Sequence, residues 1–270
     1  MEREDLQRGS LLELFKTLNT QRGGFLQNCW NYQVFCDSLH TNNLLEAVRV
    51  DFIFMLTLGD QTVENCLEVF DSISDVGLKH VGFKDIGVDR AMLAEFQGRI
   101  KASGAISYME VVSTTSEACL NSARVAREMG VDRLLGGFEV AATLELLEGS
   151  GIAYYPFPGR PEGHPTRLHG SPADVAADCT RMEQAGCAGA DLLAYRAVDA
   201  APLALVEAAR AALSGELIVA GSIDTPDQIE ALAAAGVDAF TIGTAAFEGT
   251  FSPGKEGLRA QVEDILATAV

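Results

Sequence analysis

Two apolar runs end in charged residues, Gly82-Phe83-Lys84-Asp85 and Tyr108-Met109-Glu110. Side chains alternate along a strand, so residues two apart share a face. If Val81, Phe83, Met109 and Val111 pack outward, then His80, Gly82, Lys84, Tyr108 and Glu110 turn inward. An ammonium then meets a carboxylate on neighbouring strands, and Asp85, next along the rim, can orient the lysine or take a proton itself. Glu110 can remove a proton beside a carbonyl while Lys84 stabilises the enolate. A desolvated Lys84 can instead form a Schiff base and run an aldol or decarboxylation step. Asp85 and Glu110 can also hold a divalent metal, with a histidine from a loop. The remaining reading is a structural ion pair.

A second set of residues suits an anion. Residues 217–247 read LIVAGSIDTPDQIEALAAAGVDAFTIGTAAF. The pattern is strand, Gly221-Ser222 turn, helix, strand, then Gly243-Thr244 opening another helix. Thr225, Pro226 and Gln228 fall at N-cap, N1 and N3, a capping box with proline where its missing N–H costs nothing. Two glycine-bearing strand-to-helix turns present backbone N–H groups to a phosphate. The chain carries a net charge of −18 and only five lysines. An anionic substrate therefore needs local positive potential, and Lys84, Arg160, Arg167 and Arg196 stand near predicted strand ends. Arg196, with Asp199 beyond it, can hold a carboxylate or a second phosphate oxygen in a bidentate grip. His164 is a candidate mobile acid or base. Cys36, Cys66 and Cys119 have no identifiable activating base.

The elements that must position these groups alternate. Candidate strands begin near Phe52, His80, Ile106, Arg133, Ile152, Leu192, Leu217 and Ala239, mostly spaced as βα units. Helices between them end in glycine at Gly77, Gly130, Gly186 and Gly236. Eight such units predict an α/β chain forming one (β/α)8 TIM barrel over residues 49–270. An open doubly wound sheet is the alternative, without a GxGxxG fingerprint to support it. Residues 1–48 do not fit the repeat and read as an N-terminal extension, with a helix over 6–18 and a short strand over 33–36. Cys36-Asp37-Ser38 could equally end a first barrel strand. Residues 155–171, YPFPGRPEGHPTRLHGS, hold four prolines and three glycines. They read as a shaped loop closing over substrate on glycine hinges at 159, 163 and 170, bringing Arg160 or His164 inward.

Ala220-Gly221-Ser222-Ile223 and Thr241-Ile242-Gly243-Thr244-Ala245 resemble the phosphate-binding TIM barrels. That group holds ribulose-phosphate epimerases, indole-glycerol-phosphate synthases, histidine-pathway isomerases and N-acetylmannosamine-6-phosphate epimerases. The resemblance covers the last quarter of the barrel. It implies the fold and a phosphate site at Gly221, Ser222, Gly243 and Thr244. It transfers no role to Lys84 or Glu110, because lysine and glutamate sit on differing strands in those barrels.

Composition narrows the partners. The acidic balance disfavours nucleic acid and anionic membranes. No apolar run spans a bilayer, and MEREDLQRGS lacks a signal core, so a cytoplasmic protein is expected. The six cysteines (29, 36, 66, 119, 179 and 187) form no CxxC pair, which suits reduced thiols and neither zinc nor disulfides. The expected activity is isomerase or epimerase chemistry on a small phosphorylated sugar or keto acid, by proton transfer beside a carbonyl, without a cofactor. A lysine-dependent aldolase or lyase is the runner-up. A non-catalytic phosphate-binding barrel and a flavin-phosphate barrel using the same turns remain, and another copy of the chain stays open as a partner.

Overall fold

The computed structural model describes residues 49–269 apart from 113, 114 and 164. The expectations for residues 1–48, and for His164, lie outside the described residues. In chain order, β1 (Asp51–Met55) is followed by a small hairpin of β2 (Thr57–Leu58) and β3 (Gln61–Thr62), and then by α1 (Cys66–Ile73). Next come β4 (His80–Lys84), α2 (Arg90–Ser103), β5 (Ile106–Val111), α3 (Ser116–Met129), β6 (Arg133–Gly136), α4 (Val140–Leu147) and β7 (Ala153–Tyr155). A second hairpin, β8 (Arg160–Glu162) and β9 (Arg167–His169), precedes α5 (Pro172–Ala185) and β10 (Gly189–Leu192). The chain then runs through α6 (Pro202–Ala212), β11 (Glu216–Val219), α7 (Pro226–Ala234), β12 (Ala239–Ile242), α8 (Thr244–Glu248) and α9 (Leu258–Thr268).

Eight strands form one parallel sheet in the order β10-β11-β12-β1-β4-β5-β6-β7. The ladder stops at β7 and β10, where two backbone bonds span the gap. Ala188 N–H donates to Tyr154 O and Asp191 N–H to Pro156 O, each at 3.0 Å. With a helix after each strand, this is the (β/α)8 barrel. Among the described residues, no helix is long and apolar enough to cross a membrane.

Side-chain parity follows from the two packing layers. Val81, Phe83, Met109 and Val111 belong to the shell between strands and helices, and Phe83 meets Phe96 of α2 with ring centroids 5.6 Å apart. Each such fully buried aromatic contributes about 1.5–3 kcal/mol. Ile53, Met55, Tyr108, Leu135, Tyr155 and Ile218 fill the interior. At its lower end His80 Nδ1 lies 2.9 Å from the Tyr108 hydroxyl, and Arg133 stacks over the rings of Tyr108 and Tyr155. The capping box at Thr225 and Gln228 forms as its sequence predicts, and Ser171 makes another at the start of α5.

Two expectations change. The sixth barrel strand begins at Gly189 and ends at Leu192, rather than starting there. An acidic residue, Asp191, interrupts the apolar pattern and hides the strand. Residues 155–171 are not a bare loop, because β8 and β9 pair antiparallel from Arg160 with His169 to Glu162 with Arg167. Leu168 is buried and bridges Ala197, Val198 N–H donates to Leu168 O, and Asp199 accepts from Gly170 N–H and approaches His169 Nδ1 at 3.1 Å. These bonds anchor the segment to the chain after β10.

Candidate active site at the barrel mouth

Lys84 ends β4 and Glu110 faces it from β5, in the register Lys84 with Glu110. Lys84 Nζ is 3.3 Å from Glu110 Oε1 and donates to Asp60 Oδ1 at 2.7 Å. All three side chains are buried. Asp60 arrives from the tip of the β2–β3 hairpin. Gly59 and Asp60 both hold left-handed φ, 59° and 63°, as a two-residue turn matched to strand twist requires. The hairpin is fixed at its base, where the Thr62 hydroxyl donates to Lys84 O at 2.8 Å and accepts from Lys84 N–H at 2.9 Å. Asp60 also takes a two-pronged bond from Arg196, with both N–O distances 2.9 Å.

Burial alone would depress the Lys84 ammonium, but the carboxylates of Glu110 and Asp60 outweigh it and hold the group above its ordinary value. Asp60 shows the reverse contest. Burial would raise it, yet the Arg196 and Lys84 cations hold it far below the usual carboxylate range. Beneath them lies Asp191, fully buried in β10, with neither carboxyl oxygen bonded to a described group. Burial, reinforced by the charge of Glu110 and opposed by the Lys84 and Arg196 cations, pushes Asp191 well above an ordinary carboxyl.

A cavity of about 280 Å3 opens above this floor, and its walls include Asp60, Lys84, Glu110, Arg196, Gly221, Ser222, Gly243 and Thr244. The two glycine turns and the Lys84–Glu110 pair thus share one chamber. Gly221 (φ 78°) and Ser222 (φ 59°) are both left-handed, and among the described residues their amides donate to no backbone carbonyl. Arg196 lies flat on this turn, so a Cβ at Gly221 would sit 2.4 Å from its Nε. A Cβ at Gly243 would be 2.6 Å from Thr57 Oγ1 and 2.8 Å from Met55 O. Glycine is required there because the end of β1 approaches closely. A larger residue would push on that strand rather than simply fill the chamber.

Two candidates stand elsewhere. Asp85 has the opposite parity to Lys84 and turns toward α3. It accepts from the Ser122 hydroxyl and, at 3.4 Å, from Val112 N–H. It therefore neither orients the lysine nor joins Glu110 in a metal site. Among the described residues, no group of three or more His, Cys, Asp or Glu is arranged to hold a metal. Arg160 is exposed on β8 and does not line the cavity, with Asp174 and Asp199 as its electrostatic neighbours. Arg196 does line it, but the carboxylate in its fork is Asp60. Cys66, Cys119 and Cys179 are buried thiols, and burial raises each above its ordinary value.

The sequence reading missed Asp60 and Asp191. Gly59-Asp60 was a hairpin signal directly after the first strand, and Asp191 was a lone acid within Gly189-Ala190-Asp191-Leu192-Leu193.

No family model matches the chain, and no curated protein matches it in sequence. Solved structures match in fold. A native KDPGal structure aligns with a TM-score of 0.58 at 14% identity, covering 81% of this chain and 93% of that one. A cube-shaped, highly porous protein cage designed by fusing symmetric oligomeric domains aligns at 0.58 and 14% identity, over 82% of this chain and 72% of that one. The Amycolatopsis orientalis BexX/CysO complex aligns at 0.55 and 18% identity, over 82% and 88%. At these identities the likeness establishes the barrel alone.

Proposed function

We propose that the protein is an isomerase or epimerase that moves a proton beside the carbonyl of a small phosphorylated substrate. The observation that carries this reading is the single chamber joining the buried Lys84–Glu110 pair to the Gly221-Ser222 and Gly243-Thr244 turns. The turns take the phosphate through backbone N–H groups. Glu110 removes the proton from the carbon next to the carbonyl, and the C–H electron pair passes into an enolate. Lys84, kept as an ammonium by its two carboxylates, stabilises the enolate oxygen. Glu110 then returns the proton on the same face to the neighbouring carbon, which completes an isomerisation, whereas an epimerisation takes its new proton from solvent on the opposite face and leaves the first on Glu110. Oligomeric state and cellular location are not needed for this chemistry.

A lysine-dependent lyase is the second reading, favoured by the burial of Lys84. It requires a neutral amine, which the flanking Asp60 and Glu110 oppose. The test is incubation with a panel of phosphorylated aldoses and ketoses in deuterium oxide, read by proton NMR. The isomerase reading expects deuterium at the carbon beside the carbonyl. Glu110→Gln should lose that exchange yet keep the ligand-induced thermal shift, because the base acts on the transition state and not on the anchor. Borohydride-trapped mass on Lys84 would select the lyase. Absence of both exchange and adduct across the panel would overturn the enzymatic reading.

A further inference from the structure

Among the described residues, every strong cation of the chamber floor is already matched. Both Asp60 oxygens are engaged, Oδ2 by Arg196 and Oδ1 by Arg196 and Lys84, while Glu110 takes the other side of Lys84. Asp191 beneath adds no cation. The two further charged residues lining the mouth, Asp224 and Glu248, are acidic and exposed. Among the described residues the floor therefore has no uncommitted positive charge for a carboxylate, and a carboxylate placed there would face Asp60 and Glu110 with little water to screen it. A neutral carbonyl or hydroxyl meets no such penalty and can accept from the remaining Lys84 N–H. Asp60 cannot easily step aside, because the Thr62 hydroxyl ties its hairpin to the Lys84 backbone at two points.

We propose that Asp60 sets the substrate class. By closing the Arg196 fork and sharing Lys84, it reserves the floor for an uncharged end, so the substrate is a sugar phosphate and not a phosphorylated keto acid. This rests on the phosphate reading of the glycine turns and goes beyond it by choosing between the substrates that reading allows. Asp60 is then a specificity residue whose carboxylate occupies the place a substrate carboxylate would take.

The test compares glycerol 3-phosphate with 3-phosphoglycerate, two esters of equal length that differ by a hydroxymethyl against a carboxylate, by titration calorimetry. Wild type should bind glycerol 3-phosphate at least tenfold more tightly. Asp60→Gly suits the left-handed backbone at this position and empties the fork. It should reverse the preference, with 3-phosphoglycerate tighter by tenfold or more. Asp60→Asn, which keeps the side-chain shape without the charge, should fall between, and it serves if the glycine variant does not fold. Equal affinity of wild type for both esters, or a preference for 3-phosphoglycerate, overturns the inference alone. Binding of neither ester overturns the phosphate anchor and the inference with it.

Discussion

Replacing Lys84 by methionine removes the cation of the floor while keeping most of its apolar stem. In the folded protein Lys84 stands between two carboxylates, and its side chain and theirs are 5–9% exposed. Asp60 would keep both bonds from Arg196. Glu110 would lose its ion-pair partner at 3.3 Å and remain buried. Breaking a buried pair by deleting one member costs about 3–5 kcal/mol, because the other charge is left uncompensated. The loss should concentrate on Glu110, so Glu110→Gln in the same chain should restore part of it. A coupling of about 2 kcal/mol between the two sites is expected, within the range for residues in one network. Urea denaturation followed by far-ultraviolet circular dichroism gives the four stabilities of the cycle at pH 7. A loss under about 1 kcal/mol for Lys84→Met, or a coupling near zero, would mean that water already screens the pair. The electrostatic stabilisation of an enolate by Lys84 would fail with it.

Asp191 makes a prediction about pH. Its carboxyl holds a proton to higher pH in the folded chain than in the unfolded chain, where the ordinary value is about 3.9. The folded state therefore binds more protons above about pH 4, and the contribution of this group falls as pH rises toward its elevated folded value. Asparagine mimics the protonated form, so Asp191→Asn should match wild type near pH 4 and gain on it toward pH 7, by up to about 1.4 kcal/mol per pH unit. A stability difference that does not change with pH in denaturant titrations would show that Asp191 is ionised. Asp85→Ala should cost about 1–2 kcal/mol by removing the acceptor of Ser122 and Val112. It should leave deuterium exchange into substrate within twofold, and a tenfold loss of exchange without loss of stability would return Asp85 to the site.

Much of the fold was legible because it depends on local chemistry. The spacing of βα units, the glycine helix ends and the Thr225–Gln228 capping box are set by residues within one turn of each other, and the barrel strands follow from them. The inward facing of Lys84 and Glu110 was legible too, since alternation along a strand is fixed by the backbone. The same alternation, followed one residue further, would have turned Asp85 outward toward α3. The Gly221 and Gly243 turns were legible for the same reason, since a glycine between a short apolar strand and a helix start is a local signal.

What the chain could not disclose without its tertiary structure is which charges meet. Asp60 and Arg196 are separated by 136 positions, and their two-pronged bond exists only because the first and sixth βα loops share one rim. No pattern of period two or 3.6 encodes that distance. The need for glycine at 243 likewise comes from the end of β1, nearly two hundred residues earlier, pressing against it. Asp191 is an acid in an apolar run by sequence, and it becomes a buried carboxyl with no hydrogen-bond partner among the described residues only when the barrel closes around it. Local sequence determined the elements and the faces of their side chains. Barrel closure decided the partners of each charge, because burial and pairing depend on neighbours that only the fold supplies.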